Sequence, residues 1–224
     1  MAWWKKETPK PSVAAPSLPA PYKDGPANHV YNLLFCDDPE IWRNGTTSDG
    51  SALAVVLRED SAPADVRRVA DDEAVESRIR ALAFNWLRRH GQAVPAKTLL
   101  GTVVEVPLQG GLDTLAAFGD GGVRYINQSG KIGVFDGGVA ALQPTIDALL
   151  AASRVLVGKI GPWEKPRLNP PKAGNVRLTF LVSDGLYFGE GPYADLARDG
   201  LGGPVLAAAR QLLEQVVALS TRKS

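Results

Sequence analysis

Leu99-Leu100-Gly101-Thr102-Val103-Val104-Glu105-Val106, Leu112-Asp113-Thr114-Leu115-Ala116-Ala117-Phe118, Val123-Arg124-Tyr125-Ile126-Asn127 and Lys131-Ile132-Gly133-Val134-Phe135 follow one another with only short turns between them. These segments decide the fold class. The first is rich in β-branched residues and is expected to end at Pro107, which has no N–H for a sheet ladder. Gln109-Gly110-Gly111, Gly119-Asp120-Gly121-Gly122 and Ser129-Gly130 supply the turns. Asp-Gly provides the positive φ that a tight hairpin turn requires. Within the segments, side chains alternate. Val123 and Tyr125 share one face and Arg124 takes the other, while Ile132 and Val134 fall together. The pattern predicts an antiparallel meander with one face buried.

The meander runs into a helix. Leu142, Ile146, Leu149, Leu150, Ser153, Leu156, Val157 and Ile160 form one stripe at the helical period. Pro144 belongs in the first turn, where its missing N–H costs nothing, and Gly158 or Gly161 ends the helix. The stripe needs an apolar cover, and the face of the meander is the nearest one.

Towards the N-terminus, Val75, Ile79, Leu82, Ala83, Trp86 and Leu87 make a second stripe. Asp71 or Asp72 is expected to cap that helix, and Gly91 to stop it. Ala52–Leu57 reads as a short helix, and Pro63 opens another. Asn28 is expected to cap a first helix with Val30, Leu33 and Leu34 on one side, closed by Asp38-Pro39. Residues 43–51 read as a loop. Residues 1–27 are rich in proline and are expected to form a disordered or polyproline-like arm, with Trp3 and Trp4 near its tip.

Beyond the central helix comes a Pro-rich, basic loop holding Trp163, Lys165, Arg167 and Lys172. Val176, Leu178, Phe180 and Val182 then alternate with Arg177, Thr179 and Leu181. Asp184-Gly185 turns that strand, and Leu186-Tyr187-Phe188 returns. Gly189–Gly203 reads as a Gly-rich loop with one helical turn. Pro204 opens a last helix, whose stripe is Val205, Leu206, Ala209, Leu212, Leu213, Val216 and Val217. The order of elements predicts an α+β fold with an antiparallel sheet of about six strands, a four-stranded meander plus a hairpin, packed by amphipathic helices and preceded by a helical N-terminal part. The hairpin has two possible places, at either edge of the meander. The expected organisation is an arm over 1–27 and one domain over 28–224, with a helical part at 28–91 and the sheet with its helices at 98–224.

Composition narrows function more than motifs do. The 224 residues carry 25 basic and 24 acidic side chains, a net charge of +1. That balance argues against a nucleic acid or an anionic membrane as partner. Cys36 is the only cysteine, which excludes an internal disulfide and a cysteine-rich zinc site. No apolar run is long enough for a membrane span, and the first residues lack the pattern of a secretory signal, so a cytoplasmic protein is expected. Only His29 and His90 are present, far apart in the chain, which leaves no His-based triad or metal set. Cys36 is expected in the core, with Asp37 and Asp38 raising its pKa. Gly189-Glu190-Gly191-Pro192-Tyr193-Ala194 matches a dinucleotide-binding spacing only on paper. Its strand belongs to a hairpin, Glu190 repels phosphate and Pro192 removes a donor. No cofactor and no metal is therefore expected.

The sequence favours a non-catalytic binding or adaptor module that works through contacts with another protein. Trp163, Lys165 and Arg167 are the candidate contact residues, together with Trp3 and Trp4. The alternative is a small enzyme or ligand sensor seated in the Gly-rich stretch 185–203, with Tyr187, Glu190, Tyr193 and Asp195 as its working residues.

Overall fold

A six-stranded antiparallel sheet runs through the middle of the protein, in the order β4-β3-β2-β1-β5-β6. Its strands are β1 (Leu99–Leu108), β2 (Gly111–Phe118), β3 (Val123–Ile126), β4 (Ile132–Phe135), β5 (Asn175–Val182) and β6 (Gly185–Pro192). The computed structural model describes residues 18–43 and 50–221. Trp3 and Trp4 lie outside the described residues, as do most of the expected loop at 43–51 and most of the arm. The helices are α1 (Gly25–Leu33), α2 (Glu40–Arg43), α3 (Ala52–Leu57), α4 (Pro63–Asp71), α5 (Ser77–Arg89), α6 (Gln143–Val157), α7 (Tyr193–Arg198) and α8 (Gly202–Thr221). The fold is α+β, with a helical N-terminal part.

The meander pairs as its turns dictate. Gly101 lies opposite Phe118, Thr114 opposite Ile126 and Tyr125 opposite Gly133. Gly121 holds φ +83° in its Asp-Gly turn. Gly111 is required for a different reason: a Cβ there would sit 2.1 Å from the Gln128 carbonyl oxygen. β1 does not stop at Pro107. It continues to Leu108, and Pro107 lies opposite Leu112. This is possible because pairing with β5 has already ended at Glu105, so β1 is an edge strand there and no partner wants the missing N–H.

The hairpin joins beside β1, where Val104 lies opposite Leu178. α6 crosses over β2 and β1 on the way. In that place its stripe covers the middle of the sheet. Leu142, Ile146, Leu149, Leu150, Leu156 and Val157 pack with Val104, Leu115, Ala117, Leu178 and Phe180, and α8 shares the layer through Val205, Leu206, Ala209, Leu212 and Val216. Ser153, in the same stripe, accepts a hydrogen bond from Thr102 at 2.9 Å.

The expected single buried face is a correction. The second face of the sheet is covered too, by the N-terminal helices. Tyr31, Leu34, Phe35, Leu82, Phe84 and Leu87 pack with Val103, Ala116, Phe118, Ile126 and Leu181. Arg177, Thr179, Glu105 and Thr114 are consequently buried polar residues. A bulge between Leu99 and Gly101 turns Leu100 to this second face. The first helix begins at Gly25, before Asn28, with Pro26 in its opening turn. Asn28 instead ties down the segment before it, accepting from the Tyr22 N–H and donating to the Tyr22 carbonyl, both at 2.8 Å. Tyr22 is buried, and its hydroxyl lies 2.8 Å from that of Thr114.

α5 also begins later than expected, at Ser77, so Val75 stays outside it. Asp72 closes α4 and does not cap α5. The free N–H of Ser77 donates instead to Asp120 Oδ2 at 2.8 Å, and the Asp120 N–H donates to Ser77 Oγ at 3.0 Å. A turn of the sheet thus caps a helix distant in sequence. Asp120→Ala is expected to lower stability by about 1–2 kcal/mol in urea unfolding, since it strips a helix N-terminus of its acceptor. Asp195→Ala, which removes only an exposed pair with Arg198, is the control and should shift stability by under about 0.5 kcal/mol.

Candidate functional site

The chain leaving α1 cannot turn smoothly. Leu34 and Phe35 are both buried, and Cys36 then takes a left-handed φ of +52°, unusual for a residue with a side chain. The turn is held from α5, where Asn85 Nδ2 donates to the Asp37 carbonyl at 3.0 Å. One turn further along α5, Arg88 donates to the Ser183 carbonyl at 2.6 Å and so fixes the β5–β6 turn. Burial pushes the Arg88 guanidinium below its ordinary pKa, partly countered by Asp184.

The Pro-rich loop after α6 closes the other side. The Trp163 N–H donates to the Leu186 carbonyl at 2.7 Å, in the manner of a partner strand at the edge of β6. Its ring meets Phe188 edge-on at 4.8 Å, and Lys165 stands 5.5 Å from the ring centre. Arg167 reaches furthest. Its guanidinium lies 4.0 Å from the centre of the Phe35 ring, donates from Nε to Asp37 Oδ2 at 2.8 Å and from Nη2 to Asn32 Oδ1 at 2.7 Å. The Arg167 side chain is only 8% exposed. Its Nη1 and the Asp37 Oδ1 are buried without hydrogen-bond partners.

These elements enclose a cleft of about 730 Å³. Phe35 and Arg167 border it, with Asn85 and Arg88 on one side and Trp163 and Lys165 on the other. The three described contact residues expected from the sequence therefore meet at one place. The charged groups around it are balanced: Arg88, Arg89, Lys165 and Arg167 against Asp37, Asp38, Glu164 and Asp184. Leu18 and Pro19 also reach its edge. Cys36 borders the cleft, but burial pushes its thiol far above the ordinary range. Arg78 offsets a part of this, and Asp37 adds less than burial does.

The other four candidates do not come together. Residues 185–203 are not a loop, because β6 continues to Pro192 along the whole length of β5 and α7 follows directly. Tyr187 is buried on the α6–α8 face, and its hydroxyl donates to Asp184 at 2.9 Å. Burial first, then that carboxylate, pushes its pKa up to about 12. Glu190 points to the opposite face, where Arg177 grips it from Nε and Nη2 at 2.9 and 2.6 Å. Burial raises the Glu190 carboxyl, but the hydrogen bonds from Arg177 and Asn175 outweigh it and hold the group below the usual range. Asp195 pairs with Arg198 on α7. Tyr193 borders a separate, apolar pocket.

Arg177 and Glu190 belong to a buried polar chain behind the cleft. The Tyr31 hydroxyl donates to Glu105 Oε1 at 2.6 Å, and Arg177 Nη1 lies 3.8 Å from Glu105 Oε2. Glu105 is fully buried. Burial pushes its carboxyl up, while Tyr31 and Arg177 draw it back in part. His90 stacks on Trp86 at 3.6 Å between ring centres and takes no part in either group. Among the described residues, no three His, Cys, Asp or Glu side chains are grouped to hold a metal ion.

No family model, no curated protein and no solved structure matches this chain. Sequence reasoning missed Phe35, Asn85 and Arg88 as cleft residues. Phe35 ends an apolar run, and Asn85 and Arg88 lie off the apolar stripe of α5. Their one signal is that both are polar residues next to the apolar stripe of that helix.

Proposed function

We propose that this protein is a non-catalytic docking module whose cleft holds an extended segment of a partner protein. One observation carries this reading: Trp163, Lys165 and Arg167 converge with Phe35 on a single open cleft. Aromatic and arginine anchors ringed by mixed charges are the usual anatomy of a protein-binding site. The balanced charge fits a polypeptide of mixed sequence better than a polyanion such as nucleic acid. A buried thiol of raised pKa and the lack of a histidine in the cleft favour binding over covalent or acid–base chemistry. We place the protein in the cytoplasm. The support is a lone free cysteine, and no helix among the described residues long and apolar enough to cross a membrane.

The test is a panning of random peptides displayed on phage against the full chain, followed by titration of the selected synthetic peptides. Trp163→Ala should weaken them by at least about tenfold, the effect of losing one aromatic anchor. Trp163 is only half-buried, so its unfolding midpoint should change little. Peptides that bind the variant as tightly as the parent would rule out the cleft as the docking site.

A further inference from the structure

A second cavity lies on the other face of the sheet from the cleft. It opens between the sheet and α8 and has a volume of about 210 Å³. Val104, Leu115, Leu206 and Ala209 line its depth and are all buried. Tyr193 and Leu108 stand at its rim, 45% and 44% exposed. Two charged residues border it, and both are already engaged. Asp113 accepts from the Tyr125 hydroxyl at 2.9 Å and from the Gln128 N–H at 2.7 Å, while Arg210 donates to Glu214 at 2.9 Å. The Tyr193 hydroxyl makes no hydrogen bond among the described residues.

We propose that this pocket binds a small, uncharged, mostly apolar molecule of one or two fused rings, carrying at most one polar group at its outer end. Protein interiors are close-packed, and apolar space of this size between sheet and helix is an exception to that rule. An apolar cavity of about 150 Å³ is enough to take up benzene. The larger space here suits a ring system the size of indole. Charged occupants are disfavoured, because the bordering charges already have partners and the remaining walls are aliphatic or aromatic. The Tyr193 hydroxyl sits where a ligand's single donor or acceptor would emerge. Of the residues that the small-ligand alternative named, only Tyr193 contributes to this site, and it does so from α7.

The probe is indole, titrated into the isotope-labelled full chain and followed by methyl and amide NMR. Saturable shifts are expected at Val106, Leu115 and Leu213, with a rise of about 2 °C in the unfolding temperature at saturation. Indole-3-acetate, which adds a charge, should bind at least about tenfold more weakly. Ala209→Leu, which fills the pocket, should abolish the indole shifts. Tyr193→Ala lies at the exposed rim, keeps the core intact and should weaken binding several-fold. Three results would overturn the proposal. One is the lack of saturable shifts up to the solubility of indole. Another is shifts that persist unchanged in both variants. The third is concentration-dependent self-association that Ala209→Leu removes, which would make a second copy of the chain the occupant.

Discussion

Arg177→Met is expected to cost about 3–5 kcal/mol of stability in urea unfolding, because it leaves the buried Glu105 and the partly exposed Glu190 without their cation. Arg177 is the cation shared by Glu105 and Glu190, and its side chain is only 5% exposed. Without it Glu105, fully buried, keeps the Tyr31 hydroxyl as its one donor, and Glu190 loses both of its bonds from Arg177 and keeps the one from Asn175. Adding Glu105→Gln to Arg177→Met should recover part of the loss, since an amide costs far less to bury than a carboxylate. Glu105→Gln alone has a pH signature. Burial raises the folded-state pKa of Glu105 above its ordinary value of 4.5. The folded chain therefore holds that proton more tightly than the unfolded chain does. The stability that goes with the proton is complete below the unfolded pKa and is lost as pH rises through the folded one. Glutamine does not titrate, so Glu105→Gln should gain on the parent as pH climbs from 4.5 upward. Glu190 shares Arg177 with Glu105 and acts on it by charge, so the comparison reads the coupled pair. Parallel stability curves for the two would show that Glu105 does not carry a raised pKa.

Arg167→Ala is expected to abolish peptide binding at the cleft, a loss of at least about a hundredfold, and to cost about 2–4 kcal/mol of stability. Both effects follow from its position. The guanidinium fills the space over Phe35 and holds Asp37 and Asn32 in place across the cleft. Removing it leaves Asp37 with no cation and opens a gap beneath the Trp163 loop. The stability cost stays below that of Arg177→Met, because Asp37 retains some exposure to water. Arg167→Lys separates the two effects. Lysine keeps the positive charge near Asp37 but lacks the planar fork that bonds Asp37 and Asn32 together and stacks on Phe35. Stability should therefore recover in part while peptide affinity stays low. Full binding by Arg167→Lys would mean that charge alone, and not the fork, holds the ligand.

The meander was legible in the sequence because its information is local. Each turn holds its own glycine, and each strand shows its own alternation, as in Val123 to Ile126. α6 and α8 were equally plain, since a stripe such as Leu142 to Val157 is written in one stretch of chain. The site was legible only at its most conspicuous residues. Trp163, Lys165 and Arg167 stand out in a Pro-rich loop, whereas the residues that complete the candidate site come from α1, the turn after it and α5. Tyr187, Glu190 and Tyr193 looked like neighbours because they are close in the chain. On an extended strand, successive side chains point to opposite faces, so Tyr187 and Glu190 were parted by the pleat itself.

The sequence by itself determined the identity and order of the strands, the stripes of the long helices and the near-neutral net charge. These depend on steric preferences and periodicities over a few residues. Tertiary structure alone decided that the hairpin joins beside β1, that both faces of the sheet are covered, that Asp120 caps α5 and that Arg167 meets Phe35 and Asp37. Such contacts join residues far apart in the chain. Their energy depends on which surfaces are left exposed after local folding, and no local pattern of residues encodes that.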